Sequence, residues 1–267
     1  MVTGTPGPTQ GFCRVALPGT WRAVLDAGRV PYAAGEFLSL VAADPSGTRA
    51  FGASYQRTWS GVVAARPGSL ERRRIHPFTN PVTDQILGMA FDGRWLVWSE
   101  THTLTSEADW VMWSWDSNSG TVRRLGEYRR GADGRPVPGP LAMPVVRHGF
   151  AAWANGIGQG RSELHQYDLS ARTDHVITDA HPLGQVFVGD LLLWRESMSP
   201  NALAEVRAWN VRTRQPATVP RALADQRGVT FLDANSHTAV WADWTMSKIW
   251  AARLPDGPRV LLRRQAG

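Results

Sequence analysis

One position along the chain carries a polar residue again and again. Glu100, Glu196 and Asp243 are carboxylates and Asn155 is an amide, and each stands two residues past a tryptophan: Trp98, Trp194, Trp241 and Trp153. The surrounding stretches WLVWSE, LLLWRE, TAVWAD and FAAWAN share one design, an apolar run closed by Trp-x-polar. Oxygen ligands gathered from four such sites could hold a hard cation, with Ca²⁺ the expected ion. Two carboxylates about 5–10 Å apart could work as an acid/base pair on a glycosidic bond. The competing reading is that each acid accepts backbone N–H bonds at the loop start or pairs with an arginine of the next blade, Arg195 and Arg161 being near such places in sequence. His102, just after Glu100, is the fourth catalytic candidate beside Glu100, Glu196 and Asp243.

Other chemistry finds no motif. There is no HExxH or HxH spacing for a histidine-held metal, no GxSxG turn for a serine nucleophile, and no GxxxxGK phosphate loop. GIGQG at 156–160 follows an apolar strand without opening a helix, so it is expected to be a loop. Trp59, Trp110 and Trp244 fall in or beside loops. With Tyr55 they are the candidate ligand contacts.

These residues must be positioned by a repeat. The anchor aromatics Phe51, Trp98, Trp153, Trp194 and Trp241 are separated by 47, 55, 41 and 47 residues, the length of a four-stranded propeller blade. Each unit has an apolar first strand, a turn rich in Gly, Asp or Asn, the anchor strand, a longer loop, and two further strands. No segment after residue 35 has helical length and period. The expected fold is all-β: a β-propeller of four-stranded antiparallel blades, five in number, with six as the alternative. The blades span about 35–76, 84–126, 142–178, 184–220 and 228–263. Residues 1–11 form a flexible start, and 12–32 a clasp that closes the ring of a single domain covering 12–267. Side chains alternate with period two along a strand, so the polar residue after each anchor shares its side and meets one mouth of the channel.

The phrase "apolar-Trp-Ser-Glu, loop, Trp-Asp, turn with Gly", clearest in VWSE at 97–100 with WSWDSNSGTVRRL at 113–125, resembles the TolB-type β-propeller repeat. The likeness runs from about residue 35 to 263. It implies architecture and is nearly silent on role, because such repeats serve many functions. The first unit departs from it, with Phe51 and Ala53 in place of Trp and acid.

Bulk composition narrows the partners. The 267 residues carry a net charge of +6, almost all of the basic residues being arginine. The arginine clusters at 72–74, 123–124 and 129–130 are not interleaved with aromatics as in single-strand binders, so nucleic acid is not the expected partner. Cys13 is the only cysteine, which excludes an intrachain disulfide. No apolar run approaches a membrane span. The polar start MVTGTPGPTQGF reads as the beginning of an exported protein whose signal has been removed, a cytoplasmic start being the alternative. The expectation is a monomer that binds a small polar ligand or a protein partner at the acidic mouth. An enzyme of lyase, glycosidase or cyclase type in the same mouth, and a scaffold docking partners on its broad face, are the rivals.

Overall fold

The computed structural model describes residue 23 and residues 26–103, 109–140, 142–197 and 203–264. Twenty strands form five separate sheets of four, each antiparallel and in sequence order. Blade one holds β1 (Phe37–Ala43), β2 (Ala50–Tyr55), β3 (Ser60–Ala65) and β4 (Arg72–Pro77). Blade two holds β5 (Gln85–Phe91), β6 (Trp95–Thr101), β7 (Trp110–Asp116) and β8 (Val122–Glu127). Blade three holds β9 (Val145–Arg147), β10 (Phe150–Gly158), β11 (Arg161–Asp168) and β12 (Thr173–Thr178). Blade four holds β13 (Pro182–Val188), β14 (Leu191–Glu196), β15 (Glu205–Asn210) and β16 (Gln215–Pro216). Blade five holds β17 (Phe231–Ala234), β18 (Thr238–Ala242), β19 (Lys248–Arg253) and β20 (Arg259–Arg264).

The anchors are the core. Phe51, Trp98 and Trp241 are completely buried, and Trp153 and Trp194 almost so. A flat ring of this size removes roughly 150–250 Å² from water and fills the wedge between neighbouring sheets. Four apolar clusters do this work. Phe51 and Trp98 share one, Trp95 and Trp153 a second, Trp194 and Leu164 a third, and Leu193 and Trp241 a fourth. Among the described residues no such cluster joins blade five to blade one. Phe37, Leu40 and Val41 on β1 are exposed there, as is Phe231 on β17.

Residues 29–36 lie against blade one. Arg72 donates to the carbonyl of Pro31 and pairs with Glu36 at 3.0 Å, and Glu36 accepts the Ser54 hydroxyl at 2.7 Å. The greater part of the expected clasp at 12–32 lies outside the described residues. The hairpin into β10 shows why turn residues are chosen: His148 and Gly149 have φ of 50° and 81°, the two positive angles of a tight primed turn.

Three local expectations differ from the structure. GIGQG at 156–160 reads as a loop, yet β10 continues through Gly158 and pairs with β11, leaving only Gln159 and Gly160 to turn. ATVP at 217–220 reads as the fourth strand of blade four, yet β16 stops at Pro216. Pro216 and Pro220 lack the N–H a ladder needs, and the chain goes on into a helical turn at Arg221–Ala224. Trp110 reads as a loop residue. It lies at the edge of that loop as the first residue of β7, opposite Thr101, and is 3% exposed, so it packs in the core.

Candidate functional site

β6 is buried along all seven residues, because blades one and three cover its two faces. Its last turn of alternation places Glu100 between Ile86 of β5 and Val111 of β7. Neither neighbour can solvate a carboxylate. Glu100 is 1% exposed, and its Oε2 accepts one hydrogen bond, from Trp98 Nε1 at 3.5 Å. Burial pushes its pKa up to about 7, with the charge of Asp84 adding to the rise and the attraction of His102 and the indole bond opposing it.

Two further ligating groups meet Glu100. Asp84 closes the blade-to-blade connection, its carboxylate accepting the Asn80 N–H at 2.7 Å and its backbone carbonyl accepting the Tyr55 hydroxyl at 3.2 Å. His102 begins the loop after β6. Its Nδ1 lies 3.1 Å from Asp84 Oδ1 and 3.9 Å from Glu100 Oε1. Ligand atoms of Asp84, Glu100 and His102 all fall within 4.8 Å of one another, the one such group among the described residues. No arginine or lysine pairs with either acid among the described residues. Two more side chains border the cluster. Tyr55 has its pKa raised by burial and by the charges of Glu100 and Asp84. His76 packs on Trp113 at 4.5 Å, and burial pulls its pKa below the usual imidazole value, with the charge of Asp84 opposing and His102 adding to the fall. The base of the His102 loop is pinned, Asp109 accepting the Thr101 hydroxyl at 2.5 Å and Gln85 donating to the Thr103 carbonyl at 3.2 Å.

The other repeat positions are spent differently. Glu196 pairs with Arg207 at 3.1 Å and accepts Trp194 Nε1 at 3.1 Å and the Thr178 hydroxyl at 3.2 Å. Asp243 caps its own turn, accepting the N–H groups of Ser247 and Lys248 at 2.8 and 3.2 Å. Those bonds and the Ser247 and Thr245 hydroxyls hold its pKa down against burial. Asn155 is buried beneath the 127–140 connection. A Cβ at Gly139 would come within 2.4 Å of Gly156 Cα, so the two backbones touch there. Glu196 and Asp243 thus lie outside the cluster, and the site assembled around Glu100 is two carboxylates and an imidazole rather than the four-oxygen set suited to Ca²⁺. Trp59 is half-buried beneath the Arg74 guanidinium, 4.9 Å from its ring, and Trp244 is 65% exposed. Asp84 belongs to no repeat position, so strand periodicity could not find it. The signal available was a carboxylate ending the long connection HPFTNPVTD next to the strand that pairs with β6.

No family model and no curated protein sequence matches the chain. Solved structures do. A structure of TolB from Agrobacterium tumefaciens aligns over 85% of this chain and 80% of its own, at 11% identity and a TM-score of 0.50. The fold resembles the TolB-type β-propeller. A puromycin-hydrolyzing peptidase of Mycobacterium tuberculosis aligns over 88% of this chain at 13% identity and a TM-score of 0.59. An oligogalacturonate lyase in complex with manganese does so over 86% at 10% identity and a TM-score of 0.58. This chain spans only 39% of that peptidase and 64% of that lyase. At such identities the likeness is one of fold alone. No helix among the described residues is long and apolar enough to cross a membrane.

Proposed function

We propose that this propeller is a binding module whose site is the Asp84–Glu100–His102 cluster, and that the cluster takes a divalent transition-metal ion. One observation carries the reading: three ligating side chains, from a connection, a strand end and a loop, converge within 4.8 Å, and among the described residues no arginine or lysine pairs with the two acids. Donors held about 2.1 Å from one ion lie roughly 3–4 Å apart, close to the spacings around His102 Nδ1. A mixed set of oxygen and imidazole nitrogen favours ions such as Mn²⁺ or Zn²⁺ over Ca²⁺, which prefers six or more oxygens. An ion would also offset the cost of burying Glu100 as a carboxylate.

A second reading has one supporting observation. A glutamate poised near 7 beside a partly exposed histidine suits proton transfer at neutral pH. That would make the same mouth an acid/base site.

Calorimetric titration of the metal-stripped protein with Mn²⁺, Zn²⁺ and Ca²⁺ tests the first reading. One equivalent of Mn²⁺ or Zn²⁺ should bind, Ca²⁺ should bind more weakly, and Glu100→Gln and Asp84→Asn should each weaken the tight ion by about tenfold or more. Undiminished binding in Glu100→Gln, or none in the wild type, would rule the metal site out.

A further inference from the structure

A concavity of about 570 Å³ opens among loops of blades three, four and five. Its wall includes Arg195, the spacer between Trp194 and Glu196. Period two sends Arg195 to the side opposite those neighbours, toward blade five. There its Nη1 donates to the carbonyls of Thr230 and, at 3.4 Å, Val229. The other edge of the guanidinium has no such partner. Nε is buried, and neither Nε nor Nη2 makes a hydrogen bond among the described residues. No carboxylate pairs with Arg195 among the described residues either.

The arrangement depends on a glycine. Gly184 has φ +58°, and a Cβ there would sit 2.9 Å from Arg195 Nη2 and 3.0 Å from Nε. Only a residue without a side chain leaves the guanidinium this seat. Arginine does not shed its proton at any working pH, and a half-buried charge without a counter-ion is costly. Across the cavity stands an apolar platform. Trp244 is 65% exposed and Leu203 53% exposed, both packed over Gly228, where a Cβ would meet them at 2.9 and 3.1 Å. Arg161 and His181 complete the rim, and Arg161 pairs with Asp179.

We infer that this cavity binds a small organic anion, its carboxylate or phosphate held by Arg195 and its flat apolar body packed on Trp244 and Leu203. Nη2, the guanidinium nitrogen with no hydrogen bond among the described residues, can donate to an oxygen of such a group, and the exposed Trp244 indole across the cavity gives the ligand's body a surface to cover. This site is separate from the acidic cluster and does not rest on it.

The test uses benzoate and phenyl phosphate as probes, with benzamide as the neutral control, by calorimetry on the full chain with chelator present. At least one anion should bind about tenfold or more tightly than benzamide, and added salt should weaken it. Trp244→Ala, which alters an exposed residue, and Arg195→Gln, which keeps a donor for Thr230, should each lower affinity about tenfold or more. Preference between the two probes tells carboxylate from phosphate. Failure of both anions to bind at about 10 mM, benzamide binding equally well, or anion binding that survives Trp244→Ala would overturn the inference. Trp244→Ala decides the matter even if Arg195→Gln fails to fold.

Discussion

Trp98-Ser99-Glu100 and Trp194-Arg195-Glu196 occupy the same place in their blades, and both glutamates accept the indole N–H of the tryptophan two residues before. They end in different chemistry. Opposite Glu100 on the next strand is Val111, whereas Glu196 faces Glu205 and has Arg207 within 3.1 Å. Glu100 is therefore a buried acid left for His102 and Asp84, and Glu196 is one end of an ion pair. The spacers diverge as well. Ser99 points into the core, its hydroxyl without a partner among the described residues, and Arg195 lines a cavity on the other side. The repeat sets position and direction, and the third strand and the connections decide what a side chain at that position can do.

The comparison can be broken first at the anchors, where the largest effects lie. If the repeat makes the two segments equivalent in packing, Trp98→Ala and Trp194→Ala should each cost about 3–5 kcal/mol in urea unfolding. A loss near zero for either would mean that its blade does not depend on the wedge.

The acids should then separate by pH. Folded Glu100 titrates near 7 and its ordinary value is 4.5. Below the lower value both folded and unfolded forms are protonated, and burial costs nothing. Between the two the unfolded chain releases its proton first, so stability falls as pH rises, by about 3 kcal/mol in total. Above the folded value the loss is constant. Glu100→Gln stays neutral throughout and should escape it. In the presence of chelator, the variant should gain on the wild type by up to about 3 kcal/mol between roughly pH 4 and pH 8. Parallel stability curves for the two proteins would show that Glu100 is not buried as a free acid.

How much of this was legible in the sequence follows from what each feature depends on. The anchors and β1, Phe37–Ala43, depend on local alternation and could be read residue by residue. The fourth strand of blade four could not, because two prolines deny it a ladder. Trp110 stands beside the loop as read, and WVMWSW continues the alternation that places it at the start of β7. The cluster was half legible: Glu100 and His102 come from a strand end and the residues after it, while Asp84 reaches them only through the pairing of β5 with β6. Arg195 carried its signal in plain view. A spacer between two residues of one side must face the other, so it could never have been the partner of Glu196.

The smallest effect sharpens the comparison most finely. The Glu196–Arg207 pair is partly open to water, Arg207 being 45% exposed and Glu196 12%. An exposed pair gains little over its hydrated ions, so Glu196→Gln should cost less than about 1 kcal/mol, and the cost should shrink as salt is raised. Glu100→Gln, acting through burial rather than pairing, should shift stability in the opposite direction near neutral pH and respond weakly to salt. Two substitutions at one repeat position, opposite in sign and in salt response, would establish that the neighbours and not the repeat set the chemistry. A salt-independent loss of several kcal/mol in Glu196→Gln would instead make that glutamate a buried structural group and erase the distinction.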